Sequence, residues 1–131
     1  MPLATKQLSM SEVAQLCHTA GFRDANLLTS IAVIWAESRG NAWAININGS
    51  NPLSRAYGSI DIGLCQWNTY WWSIHKANDL MKPEYSVNLM FRVTKGQNFQ
   101  YWNAWLYGHH KQFLPYAEAV CAELKLISVL G

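Results

Sequence analysis

Leu27-Leu28-Thr29-Ser30-Ile31-Ala32-Val33-Ile34-Trp35-Ala36-Glu37-Ser38-Arg39-Gly40 is the stretch on which the reading of this chain turns. Leu27, Leu28, Ile31, Ala32, Ile34 and Trp35 recur at helical spacing and leave almost no polar face, the pattern of a helix surrounded by protein. Asp24 is placed to cap its start and Gly40 to stop it. Glu37 then falls in the last turn of the most apolar helix in the chain. A carboxylate is costly to bury and is rarely found buried without a partner. One explanation is an ion pair or cap with Arg23, Arg39 or Arg55. The other is a carboxylic acid held protonated on purpose. Apolar surroundings and the negative end of the helix dipole both raise its pKa, which suits a general acid.

Composition bounds the possibilities. The chain has 131 residues, half of them apolar, with seven Trp, six Tyr and four Phe. One domain with a real core, covering residues 1–131, is expected. Charged residues make up 14%, against about 25% in an ordinary domain, which argues against disorder. The net charge of +2 is spread over scattered Lys and Arg, so no nucleic-acid footprint is expected. No apolar run reaches the roughly 20 residues of a membrane helix. The N-terminus lacks a basic-then-apolar signal segment. Synthesis in a (host) cytoplasm follows as an expectation. Cys17, Cys65 and Cys121 are odd in number and widely spaced, which suggests buried free thiols, with a Cys17–Cys121 bridge as the alternative. His109-His110 has no set of partners for a zinc site. No metal and no cofactor is expected.

Outward from the central helix, Ser9 and Glu12 form a capping box, so a helix should cover Met10 to Ala20 and stop at Gly21. Residues 41–59 are rich in turn formers, and a small β or irregular lobe is expected from Asn41 to Gln66. Further helices are expected over Thr69–Ala77, from Pro83 to Val93 with Gly96 as the stop, over the aromatic segment Asn98–Tyr107, and from Pro115 onward. The last should turn Ala117, Val120, Cys121, Leu124 and Ile127 inward.

Glu37-Ser38-Arg39-Gly40-Asn41 is followed by Asp61-Ile62-Gly63-Leu64-Cys65-Gln66-Trp67-Asn68-Thr69-Tyr70-Trp71-Trp72. In these segments the chain resembles the lysozyme-like superfamily. Glu37-Ser38-x-x-Asn41 resembles the catalytic-Glu motif of lytic transglycosylases and animal-type lysozymes, and Gly63-Leu64-x-Gln66 their downstream Gly-Leu-x-Gln motif. Asp61 stands where animal-type lysozymes carry a second carboxylate. Its distance of 24 positions from Glu37 exceeds the usual one in those enzymes. Pro83 to Asn88 and Trp102-Asn103-Ala104-Trp105 are similar to the later part of transglycosylase-type domains of phage and actinobacterial proteins.

The resemblance implies a mainly α, α+β lysozyme-like fold, with a cleft between a helical and a small β lobe. It implies a muramidase that cuts the β-1,4 bond between N-acetylmuramic acid and N-acetylglucosamine in peptidoglycan, with Glu37 as the acid. Asp61 is the second catalytic candidate, or else caps a turn. Without it, Glu37 alone would serve as acid and base of a lytic transglycosylase forming 1,6-anhydromuramyl ends. A third possibility is a non-catalytic virion or glycan-binding protein of the same fold. Substrate-lining candidates are Ser38, Gln66, Asn68, Trp72, Trp105 and Tyr107. Ser38 can instead brace the helix end, Gln66 the active-site loop and Asn68 a turn, and the aromatics can be core. A wall-acting protein without a signal segment is expected to arrive by holin release or as part of a virion, in contact with other virion proteins.

Overall fold

The computed structural model describes residues 6–49, 52–53 and 57–128. In chain order these form α1 (Met10–Ala20), α2 (Asp24–Ser38), β1 (Ile45–Asn48), β2 (Ser59–Ile62), β3 (Trp67–Asn68), α3 (Ala77–Leu80), α4 (Pro83–Thr94), α5 (Asn103–Leu106), a 3₁₀ turn (His109–Phe113) and α6 (Leu114–Glu123). This is the mainly helical α+β architecture expected, with one small antiparallel sheet of order β1-β2-β3.

Helix α1 begins with the capping box. Ser9 Oγ accepts from the Glu12 amide at 3.1 Å, and Glu12 Oε1 accepts from the Ser9 amide at 3.0 Å. Gly21, at φ +126°, closes it. Ser9→Ala removes one of the two bonds, and the expected cost is about 1 kcal/mol. A chemical-denaturation midpoint measures it.

The apolar stretch is α2. Leu27, Ile31, Ala32, Val33 and Ile34 are fully buried, and the helix packs against α1, α5, α6 and the 3₁₀ turn. A helix apolar nearly all round needs neighbours on every side. Its start differs from the expectation. Arg23 is the cap position and its side chain makes no bond to the helix start, while Asp24 is the first helical residue, at φ +53°. The neighbours on α1 and α6 hold the helix, so its end needs no capping side chain.

In the sheet, Asn46 pairs with Asp61 and Asp61 with Asn68, while Ile45 pairs with Ile62 and Ile62 with Trp67. Paired residues share a face and successive residues alternate. Asn46, Asp61 and Asn68 thus form one polar row. Ile62 and Trp67 on the other face are buried in the core.

Two expected helices are mostly turns. Between Thr69 and Ala77 the chain turns, and helix begins only at α3. Asn68 Oδ1 accepts the amides of Tyr70 and Trp71, at 2.9 and 3.2 Å, and its carbonyl the Trp72 amide at 3.0 Å, the bonds of a helix start, but the chain turns on without propagating them into a helix. In the segment 98–107, α5 alone is helical. Asn98 Oδ1 takes the Gln100 amide at 3.2 Å, and the Trp102 indole donates to the Cys65 carbonyl at 2.8 Å, so tertiary contacts set this backbone. Helix α4 follows the expected course from Pro83, and Lys95 and Gly96 both take positive φ at its end. In α6, Ala117 and Cys121 face the core, with Val120, Leu124 and Ile127 partly buried against it. Leu124 and Ile127 lie past the helix end.

All three cysteines are buried free thiols. Cys17 and Cys121 come from neighbouring helices without a bridge, and burial pushes the Cys17 thiol up to about 12.

Candidate active site

Glu37 sits in the last turn of α2, and the end of that helix is tightly held. Ser38 Oγ donates to the Ile34 carbonyl at 3.1 Å and accepts from the Gly40 amide at 3.3 Å. The Leu8 amide donates to the Gly40 carbonyl at 2.8 Å, and Gln7 Nε2 to the Arg39 carbonyl at 2.6 Å. Asn41 Oδ1 accepts the amides of Lys6 and Trp43. Each group is a turn or helix-end brace, so Ser38 and Asn41 fix where Glu37 stands.

The Glu37 carboxyl is pushed up to about 7. Burial is the largest cause. A hydrogen bond from the Ala104 backbone works against it, and the charge of Asp61 adds to the rise. The ion-pair explanation for Glu37 is not what the structure contains among the described residues. Arg23 Nη1 donates to the carbonyls of His18 and Phe22, at 2.6 and 2.7 Å. Arg39 lies over the Phe113 ring, 4.4 Å from its centroid. Arg55 lies outside the described residues.

Asp61 comes from the sheet. Asn68 Nδ2 donates to Asp61 Oδ1 and to Ser59 Oγ, both at 2.9 Å. With its Oδ1 on two turn amides, Asn68 links the Asp61 carboxylate to the Tyr70-Trp71 turn. Two carboxylates far apart in the chain thus stand close enough for one charge to act on the other. Asp61 is tethered by a strand neighbour, not by a turn of its own.

Gln66 is nearly buried and occupies the left-handed region at φ +54°. Its Nε2 donates to the carbonyls of Gly63 (2.9 Å) and Ala44 (3.1 Å), and its Oε1 accepts from Asn46 Nδ2 at 2.6 Å. Of the two uses considered for Gln66, the geometry carries the bracing one: the carboxamide ties the Gly63–Gln66 loop to β1.

Trp72 is half-buried. Its ring meets Trp67 edge to face at 4.9 Å and Tyr101 at 5.9 Å. Trp105 is 38% and Tyr107 71% exposed, and both follow Ala104, whose backbone bonds Glu37. Sequence reasoning missed Ala104 and Asn46. Ala104 acts through its backbone and leaves no side-chain signal. Asn46 read as one turn former among many; its place opposite Asp61 becomes visible only with the strand register. Among the described residues no group of three His, Cys, Asp or Glu is arranged to hold a metal ion, and His110 Nδ1 is engaged with the Ala104 carbonyl at 3.1 Å. No helix is long and apolar enough to cross a membrane.

The raised carboxyl makes stability depend on pH. Folded Glu37 keeps its proton to about 7, whereas the unfolded chain loses it near 4.5. Between those values the folded state binds more protons, so stability falls as pH rises from 4.5 to 7 and levels off above. The loss from this group is at most about 3 kcal/mol, at about 1.4 kcal/mol per pKa unit. Residual exposure of the group reduces it. Denaturation midpoints across that pH range read the slope.

An apolar central helix ending on a protonatable carboxylic acid, opposed by an acidic residue of a small antiparallel sheet, is an α+β arrangement of lysozyme-like type. The chain belongs to the family described as the lysozyme-like domain, whose profile matches residues 14–104, from within α1 to Ala104. This is a family of peptidoglycan-acting glycosidases and transglycosylases. No curated protein matches the chain.

Proposed function

We propose that the protein is a muramidase that hydrolyses the β-1,4 bond between N-acetylmuramic acid and N-acetylglucosamine of peptidoglycan. The observation that carries this reading is the Glu37 carboxyl, held at about 7 by burial and by Asp61. An acid titrating there is protonated when substrate binds and gives its proton up readily. Glu37 donates that proton to the glycosidic oxygen as the C1–O bond breaks. The Asp61 carboxylate supports the positive charge that develops at C1, either as nucleophile or as the base for an attacking water. Water supplies the hydroxyl that ends on C1, and its second proton restores the acid. Trp72, Trp105 and Tyr107 offer ring faces for the sugars. Ser38, Gln66 and Asn68 serve as the supports that hold the two carboxylates.

The same pKa favours a second reading. A carboxyl near 7 can give its proton and take one back, which is what a lytic transglycosylase asks of a lone Glu when the muramyl 6-hydroxyl closes an anhydro ring. Asp61→Asn separates the two. Asn is close to Asp in size, so the exchange removes the charge with little change of volume. On the hydrolytic reading, wall-clearing turnover falls by about 100-fold or more, in the range of a lost acid–base group. Mass spectrometry of the products from wild-type protein gives reducing ends. Near-normal turnover of Asp61→Asn with anhydro ends, lighter by one water, establishes the transglycosylase.

A further inference from the structure

We infer that His110 is the positioning residue of the catalytic acid: its ring holds the short helix α5 by the Ala104 carbonyl and so fixes where the backbone of Ala104 meets Glu37. The inference rests on the reading of Glu37 as the acid of a glycan-cleaving site.

Helix α5 is four residues long and no side chain caps its start, so it is too short to hold itself. Two side chains tie it down. At its start the Trp102 indole donates to the Cys65 carbonyl at 2.8 Å. Toward its end the Tyr107 amide donates to the Asn103 carbonyl at 2.9 Å and the Gly108 amide to that of Trp105 at 3.2 Å. The Ala104 carbonyl between them takes the His110 ring instead, with Nδ1 and the oxygen 3.1 Å apart. A carbonyl only accepts, so Nδ1 carries the proton of this bond, and the bond does not need a charged ring. Gly108, at φ +73°, turns the chain so that the 3₁₀ turn brings His110 back to α5.

Both polar groups of Ala104 are therefore in use. Its carbonyl goes to His110. The backbone bond it makes to the Glu37 carboxyl favours the ionised form, as a donating amide does. His110 is 6% and Ala104 4% exposed, so water is kept from this bond and a lost partner is not replaced. The 3₁₀ turn packs on α5 and also on α2, the helix that carries Glu37. The ring thus couples the helix of the acid to the backbone that bonds the acid.

Asp61 is the charge that acts on Glu37, and Glu37 acts in turn on the Cys65 thiol. Arg39 of α2 lies on Phe113. Helix α5 carries no ionisable side chain, and those of α1, α6 and the 3₁₀ turn are not among the causes of the Glu37 shift. His110 therefore acts on the acid through α5 and not by its own charge.

The test compares wild type with His110→Phe, which keeps a ring and loses the donor, and with His110→Asn, whose Nδ2 stands near the place of Nδ1. Carboxyl NMR of Glu37 follows its titration without substrate, and turnover of soluble glycan strands is followed over the same pH range. Wild type is expected to titrate at about 7. In His110→Phe, α5 is released, Glu37 loses a bond that favours its charged form, and the midpoint moves up by about one pH unit. The alkaline limb of kcat moves up with it, because the protonated acid is the active one. Below that limb kcat falls by about tenfold with KM unchanged, as for a misplaced reacting group. His110→Asn returns both readings to near wild type. A purely structural role lowers the melting temperature of His110→Phe and leaves the midpoint of the folded protein where it was. That result overturns the inference, as does a His110→Asn no closer to wild type than His110→Phe. If His110→Phe does not fold, His110→Gln, which sets its carboxamide one carbon farther out, is read in its place. Wild type that titrates at about 7 without cutting strands counts against the glycan-cleaving reading, and an unmoved midpoint counts against His110.

Discussion

Glu37→Gln loses wall-clearing activity by about 100- to 10,000-fold, the range for removal of a general acid, and at the same time becomes more stable than wild type above pH 7. The two effects have one origin. The site holds a carboxyl where burial raises it to about 7, so at higher pH wild type carries an unfavourable buried charge. Glutamine keeps the shape and can still accept from the Ala104 backbone, and it has no proton to lose. The gain at pH 8 is at most about 3 kcal/mol, and roughly 4 °C in melting temperature is expected per kcal/mol for a domain of this size. At pH 4 both forms are neutral and the gain vanishes. Turbidity loss of wall suspensions and thermal melts at the two pH values measure both halves. Equal clearing by wild type and variant would show a non-catalytic protein with this fold. An unchanged pH slope of stability would show that Glu37 is not a raised acid.

Gly63→Ala is expected to unfold the protein or lower its melting temperature by about 15 °C or more, taking several kcal/mol at roughly 4 °C each. Gly63 has φ +82°, and an added Cβ would stand 2.2 Å from the Leu80 carbonyl oxygen. That oxygen belongs to the backbone of α3, whose Leu80 side chain is fully buried, so neither partner can move aside cheaply. Gly58→Ala is the control. Its φ is +78° and nothing lies within 4 Å of the added Cβ, so it should lose only about 1 kcal/mol for the left-handed backbone. If the two variants melt together, close packing is not what Gly63 provides. Because Gly63 opens the loop that Gln66 ties to β1, partly folded Gly63→Ala should also lose activity through displacement of Asp61.

The parts of the fold legible in the sequence are those set within a few residues. The Ser9–Glu12 box, the apolar period of α2, Pro83 at the start of α4 and Pro115 in α6 act locally, and the helices lie where those signals put them. The segment 69–77 was not legible in that way. Its helical look goes no further than one turn, in which Asn68 caps the Tyr70 and Trp71 amides and its carbonyl takes that of Trp72. The segment 98–107 is shaped by Trp102 reaching across to Cys65, a partner 37 positions away.

For the site, the sequence by itself placed Glu37 at the end of an apolar helix, because burial of that helix follows from its composition, and it left open whether the carboxyl is paired or protonated. It also marked Asp61 by its place before Gly63-Leu64-x-Gln66. Only the tertiary structure decided that Arg23 and Arg39 are turned to other partners, that the Ala104 backbone meets the Glu37 carboxyl, and that Asn68 tethers Asp61 beside it. The reason is physical. A carboxyl's pKa depends on which groups surround it in space, and those groups come from α5 and the sheet, brought to α2 by a core that no local pattern describes.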